Sequence, residues 1–240
     1  MKSLRDFTMA RVALGRSGNS LPTSALLDFQ LAHAQARDAV HFPLDVRSLL
    51  ADLHAFDLPC VAVETQCADR ATYLRRPELG RRLHPDSRRP LERLKGNFDV
   101  VFVVADGLSA LAVHRHAAAL LETTLARLDR ADWQIAPLAV VTQGRVAIAD
   151  EIGEVVGATL SVILIGERPG LSSPDSLGVY LTWHPRPGLT DADRNCISNI
   201  HAKGLSFEAA AQKLIFLMTE SRRRKLSGVS LKDDSGHLLS

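Results

Sequence analysis

Three short stretches of this chain set glycine beside a polar or charged side chain just after an apolar run: Asp106–Gly107–Leu108–Ser109, Gln143–Gly144–Arg145–Val146, and Gly166–Glu167–Arg168–Pro169–Gly170. Glycine lets backbone N–H groups approach a bound molecule closely, and a helix that follows adds the partial positive charge of its first turn. Arg145 offers a guanidinium to an anionic group or to Asp150. Glu167 offers a carboxylate to the amides and hydroxyls of a ligand, or to a cation such as Arg168. Ser109 reads equally well as a helix N-cap. Such groups suit recognition of a polar ligand better than bond-breaking. The candidate nucleophiles, Ser109 and Cys196 in RNCISNI, have no evident base beside them. The phosphate cradle GxxxxGK[ST], the dinucleotide loop GxGxxG, the serine elbow GxSxG and the zinc helix HExxH are all absent.

No metal site is expected either. Cys60, Cys67 and Cys196 lack CxxC spacing, which also argues against a disulfide framework. His33 and His41 share a helical stripe with Arg37 but stand about two turns apart, too far to share an ion.

The elements that must position these loops follow from periodicity. Residues 99–104, 138–142 and 160–165 are continuous apolar runs read as buried strands, separated by amphipathic helices over 109–130 and 146–156, with Gly157 placed as a helix C-cap. Strand and helix in alternation predict an α/β fold, a Rossmann-like parallel sheet flanked by helices, with the loops converging at the strand ends. A further strand is expected over 179–183. A short helix is expected over 194–200, capped by Thr190 or Asp191, and a last helix over 207–225, capped by Ser206. Before Gly96 the chain reads as mainly helical: a helix from Pro22 to His41 with Ser20 as cap, a second over 45–55, and a short strand over 58–64. Residues 70–95 carry nine of the 29 lysines and arginines and three of the 11 prolines. Residues 70–93 offer arginines to phosphate or to a partner's acidic face, with an ordinary solvated surface as the default reading. The prolines, with Glu78, Asp86 and Glu92, favour a partner-facing surface over a nucleic-acid groove. The expected division is residues 1–95, a mainly helical region, and 96–240, the Rossmann-like domain.

Composition bounds the function. With 240 residues, 46% hydrophobic and 23% charged, the chain can bury a full core. A net charge of +2 and an aromatic content of 5% argue against nucleic acid as a partner. No apolar run approaches the roughly 18 residues of a membrane span, and residues 1–10 lack a signal-peptide core, so the expected location is the cytoplasm.

Several ordered blocks resemble the small subunit of ethanolamine ammonia-lyase: LGRSGNSLPTSALLDFQLAHAQARDAV at 14–40, YLRRPELGRRL at 73–83, DGLSA at 106–110, GRVAIAD at 144–150, GERPGLSSPDSLGVY at 166–180, RNCISNI at 194–200 and LSGVSLKD at 226–233. The resemblance covers nearly the whole chain. It implies an adenosylcobalamin-dependent ammonia-lyase converting ethanolamine to acetaldehyde and ammonia, in which a separate large subunit holds the catalytic residues and this chain helps hold the cofactor at the interface. The resemblance implies cobalamin contacts at Val146, Glu167 and Cys196, and we extend the expected site to Asp106, Gly107, Ser109, Arg145 and Gly166. Residues 70–93 and the first helix become candidate contacts with the large subunit, in a higher hetero-oligomer. Asp52–Leu53–His54–Ala55–Phe56–Asp57 departs from the cobalt-ligand pattern DxHxxG at Asp57, so the cofactor is expected to keep its own benzimidazole. Many relatives carry a longer N-terminal segment that in some bacteria directs the enzyme into a microcompartment. LGRSG already begins at Leu14 here, which favours the cytoplasm over a microcompartment. The alternative reading is a stand-alone Rossmann-like regulator that binds a nucleotide or metabolite.

Overall fold

The computed structural model describes residues 10–234. The reading of residues 1–10 as lacking a signal-peptide core falls, apart from Ala10, outside them.

Six strands form one sheet: β1 (Cys60–Glu64), β2 (Phe98–Ala105), β3 (Leu138–Thr142), β4 (Ala158–Gly166), β5 (Leu177–Trp183) and β6 (Arg194–Ile200), in the order β1-β3-β2-β4-β5-β6. The pairs β1–β3, β3–β2 and β2–β4 are parallel, as the alternation predicted. The remaining pairs, β4–β5 and β5–β6, are antiparallel. Parallel neighbours need a crossover, and between Gly166 and Leu177 there is no helix to make one, so the chain turns straight back.

Helices α5 (Ala110–Leu125) and α6 (Ile148–Val156) make the crossovers β2–α5–β3 and β3–α6–β4, on opposite faces of the sheet. The side chains of β2 show why. Val100, Phe102 and Val104 pack with α5 and with α7 (Phe207–Arg224), whereas Val101, Val103 and Ala105 pack with α6. A strand buried on both faces must be apolar at every position, which is what made these runs legible. Ser109 caps α5 by accepting from Ala112 N, Ser206 caps α7 by accepting from Ala209 N, and Gly157 closes α6 at φ 78°.

The N-terminal elements are α1 (Thr23–His41), α2 (Val46–Leu53, capped by Asp45), α3 (Arg70–Arg75, capped by Asp69) and α4 (Pro85–Glu92). The helices α3 and α4 lie in the basic stretch read only as surface. Two local expectations change. Ser20 does not cap α1: it pairs with Ser17 through two backbone hydrogen bonds, and Pro22 is the N-cap. The stretch 194–200 is not a helix but β6. Thr190 does cap, closing a 3-10 turn over Asp191–Asp193 through a reciprocal bond with Asp193, and the chain then extends along β5.

Candidate functional site

The connection β2–α5 leaves on one face of the sheet and β3–α6 on the other, so the C-terminal ends of β2 and β4 are left with a crevice between the loops that follow them. Open α/β sheets bind ligands at such a point. The two loops meet there directly. Leu108 N donates to Gly166 O at 2.9 Å, and Ser109 Oγ donates to Pro174 O at 3.0 Å. Gly107 has a left-handed φ of 55°, and a Cβ there would run into Gly166 O and Ile165; one on Gly166 would run into the carbonyls of Asp106 and Ser109. Both glycines are therefore required for loop-to-loop contact before any ligand is considered.

Asp106 lies beneath this contact, 3% exposed. Its Oδ1 accepts from Gly144 N at 3.0 Å and its Oδ2 from Arg70 at 3.3 Å, so one carboxylate ties the β2 loop to the β3 loop and to α3. Burial raises its pKa to about 6, opposed by the Arg70 charge and the backbone N–H donors.

Above them is a cavity of about 390 Å³ lined by Tyr73, Gly107, Leu108, Arg145, Val146, Ile165, Gly166, Glu167, Arg168 and Tyr180. The chain has two tyrosines, and both are in this wall. Tyr73 is fully buried; its hydroxyl donates to Gly144 O at 3.1 Å, and its ring carries the Arg145 guanidinium at 4.1 Å. Arg145 also donates to Tyr73 O at 3.1 Å, and has no ion pair among the described residues. Asp150, which the sequence offered as its partner, instead pairs with Arg194 in a buried salt bridge. A larger cavity of about 800 Å³ adjoins the first: Arg145 and Val146 line both, with Arg81, Arg82, Asp191 and Arg194 on the far side. Val146 thus stands on the ridge between the two spaces, in the turn before α6.

Glu167 pairs with neither Arg168 nor another cation among the described residues. It accepts from Ser176 Oγ and Ser198 Oγ, both at 2.5 Å, and from Asn199 N at 3.2 Å, joining the end of β4 to β5 and β6. Cys196 is exposed on β6, not at a helix start, and is paired across the ladder with Tyr180, with which it shares a hydrogen bond. Although the residue is exposed, partial desolvation of its Sγ, with the nearby negative charges of Glu167 and Asp191, raises its pKa, so it stands as a thiol and not as a nucleophilic thiolate.

Of the expected site residues, Gly107, Arg145, Val146, Gly166 and Glu167 line one cavity. Cys196 lies beside it through Tyr180, while Asp106 and Ser109 are buried below and hold its floor. Sequence reasoning missed Tyr73, Leu108, Ile165, Arg168 and Tyr180 as lining. Tyr73 and Tyr180 stand inside the quoted blocks YLRRPELG and GVY, in a chain poor in tyrosine, and that was the available signal. Ser109 Oγ is fully used as cap and loop tie, with no base beside it. No group of three or more histidines, cysteines or acidic residues among the described residues could hold a metal. His54 is at the opposite edge of the sheet, in the 3-10 turn His54–Phe56 that leads into the N-terminal end of β1. No described helix is long and apolar enough to cross a membrane. The arrangement suits holding a large ligand with mixed polar and apolar edges, and it contains no acid–base pair poised for chemistry.

Comparison with known proteins gives the same direction. The sequence model of the ethanolamine ammonia-lyase light chain (EutC) matches residues 1–232. The ethanolamine ammonia-lyase small subunit of Azotobacter vinelandii is 57% identical over 238 residues, covering 98% of this chain and 88% of that protein. The small subunits of Pseudomonas fluorescens (strain Pf-5) and Pseudomonas paraeruginosa are 55% and 56% identical over 236 residues, each covering 97% of this chain and 86% of the relative.

Proposed function

This chain belongs to the ethanolamine ammonia-lyase light-chain family, and from that premise we propose that it acts as the small subunit of the lyase, holding part of adenosylcobalamin in the crevice between the β2 and β4 loops while a large subunit carries the catalytic residues. The observation that carries the reading is convergence. Val146, Glu167 and Cys196, the positions that the resemblance assigns to cobalamin, come from three separate segments and gather around one cavity with both tyrosines.

The residues present fit the group. A corrinoid carries apolar ring edges fringed with amides, and the crevice offers Val146 and Ile165 for the first and backbone groups of glycine turns, Glu167 and Arg145 for the second. Arg145 Nε is buried without a hydrogen-bond partner in this chain, which leaves polar capacity to be met at the crevice. Adenosylcobalamin supplies the radical chemistry through homolysis of its cobalt–carbon bond; what this chain supplies is binding, orientation and shielding.

A partner is supported by α1, whose amphipathicity is inverted. Its inward stripe is small, with Ala32 and Ala39 buried, while Leu26, Leu27, Phe29 and Leu31 are between 41% and 59% exposed. A helix that turns alanine inward and leucine outward is built to be covered. We assign this face and the basic stretch 70–93 to contact with the large subunit, residues 1–95 to partner contact, and the rest to the cofactor side, in a cytoplasmic hetero-oligomer. The test is co-expression with the large subunit. Adenosylcobalamin-dependent ethanolamine deamination that needs both chains, lost when either is omitted, is the expected result; activity of this chain alone would overturn it.

A further inference from the structure

Arg70, the first residue of α3, is absent from the cavity lining yet contacts two of the residues that form it, Gly107 and Tyr73, and Asp106 beneath them. Its Nε donates to Val40 O at 2.7 Å, in the last turn of α1. One terminal nitrogen donates to Gly107 O at 2.8 Å and pairs with Asp106 Oδ2 at 3.3 Å. Its guanidinium carbon lies 4.7 Å from the centre of the Tyr73 ring, the same ring that carries Arg145. The peptide between Gly107 and Leu108 is thereby pinned at both of its polar atoms, its carbonyl by Arg70 and its N–H by Gly166 O. Both residues of that peptide face the cavity.

We propose that Arg70 is a positioning residue for the cofactor crevice: it sets the Asp106–Gly107 turn and supports the Tyr73 platform under Arg145, and ties both to the end of α1. The inference rests on the reading of this crevice as a cobalamin site. The shape of arginine is needed, because a fork reaches Val40 O through one nitrogen and Gly107 O with Asp106 through another, which the single ammonium of lysine does not. The same contacts link α1, with its uncovered leucines, to the crevice through Val40 O, so that docking of the large subunit on α1 and shaping of the cofactor wall share one side chain.

The groups facing the Asp106 carboxylate are the charge of Arg70, the weakly acidic Tyr73 and Cys67, and the backbone N–H groups of Gly107, Gln143 and Gly144. Without Arg70 the carboxylate loses its direct counter-charge and takes up a proton nearer to neutral pH.

The experiment uses the complex of both subunits, with cyanocobalamin binding followed by equilibrium dialysis, and half-saturating adenosylcobalamin and kcat for ethanolamine measured from pH 6 to 9. Arg70→Ala is expected to weaken cyanocobalamin binding at least tenfold, to raise half-saturating adenosylcobalamin by more than it lowers kcat, and to make binding fall as the pH drops. Arg70→Lys is expected to recover less than half of the loss, and provides the same comparison where the alanine variant does not assemble. Arg70→Ala with Asp106→Asn is expected to bind weakly but without the pH dependence. Binding by Arg70→Ala and Arg70→Lys within twofold of wild type, or loss that only tracks unassembled protein and is flat with pH, would overturn the proposal. Val146→Glu and Glu167→Ala, measured alongside, separate the two failures: if they weaken binding and Arg70→Ala does not, only the positioning role falls; if none affects binding, the cobalamin reading of the crevice falls with it.

Discussion

Gly107 faces Gly166 so closely that a Cβ on the first would enter the van der Waals sphere of the carbonyl oxygen of the second. The floor of the crevice is thus the contact between two loops that follow neighbouring parallel strands, and the left-handed φ of 55° at Gly107 adds to the requirement. Gly107→Ala incurs roughly 1–2 kcal/mol for the left-handed backbone, with the clash in addition. A loss of at least about 2 kcal/mol in urea unfolding, with weakened cobalamin binding by the assembled enzyme, is expected; an unchanged midpoint would show that the loops separate easily.

Asp106 should leave a mark on stability against pH. Unfolded, it titrates near the ordinary 3.8; folded, burial lifts it to about 6. Between these values the folded chain binds more protons than the unfolded one, so this group's contribution falls as the pH rises from about 4 to 6 and is level above. In Asp106→Asn that fall is absent. The unfolding free energy of the variant relative to wild type should therefore climb by on the order of 3 kcal/mol between pH 4 and pH 7. A difference that does not change with pH would place Asp106 with an ordinary carboxylate pKa.

Glu167 is held by three donors, Ser176 just before β5 and Ser198 and Asn199 on β6, so removing it does two things at once. Glu167→Ala leaves Ser176 Oγ, Ser198 Oγ and Asn199 N without their acceptor, and should lower stability by about 1–3 kcal/mol as well as weaken cobalamin binding. Glu167→Gln keeps one acceptor oxygen and the shape, and should recover most of the stability. Thermal unfolding of the two variants checks the first claim and cobalamin titration the second; equal stability of both variants to wild type would mean that the three bonds contribute nothing net.

Leu27 and Leu31 are 58% and 59% exposed and one turn apart on α1. Changing both to glutamate should leave the chain's own stability within about 0.5 kcal/mol, since neither contributes to its core. Co-elution with the large subunit should be lost. Normal assembly of the double variant would move the interface away from this face.

How much of this was legible follows from how local each signal is. The run β2–α5–β3–α6–β4 could be read because strands buried on both faces are apolar throughout and the intervening helices are not, and because Ser109, Gly157 and Ser206 act through bonds to residues only three or four positions away. The misreading of 194–200 has an equally definite cause. In β6 the buried residues are Arg194, Ile197 and Ile200, a spacing of three that mimics a helix. The step from Ile197 to Ile200 arises because Leu177 pairs with Ile200 while Val179 pairs with Ile197, so a bulge at Asn199, with φ of 65°, inserts an extra residue. Arg194, in regular register with Ile197, is buried on the opposite face against Asp150. A bulge is a property of two paired strands, and one strand's sequence does not announce it.

The sequence by itself determined the apolar pattern of the sheet, the caps of α5, α6 and α7, the glycine turns at the strand ends and the family to which the chain belongs, because each is written in neighbouring residues or in ordered blocks. Only the tertiary structure decided which charges meet. Arg194, not Arg145, takes Asp150, and Arg70 crosses from α3 to Asp106 and Val40. Those pairings depend on which strand lies beside which and on the burial that makes an unpaired charge costly, and that burial exists only once the sheet is assembled.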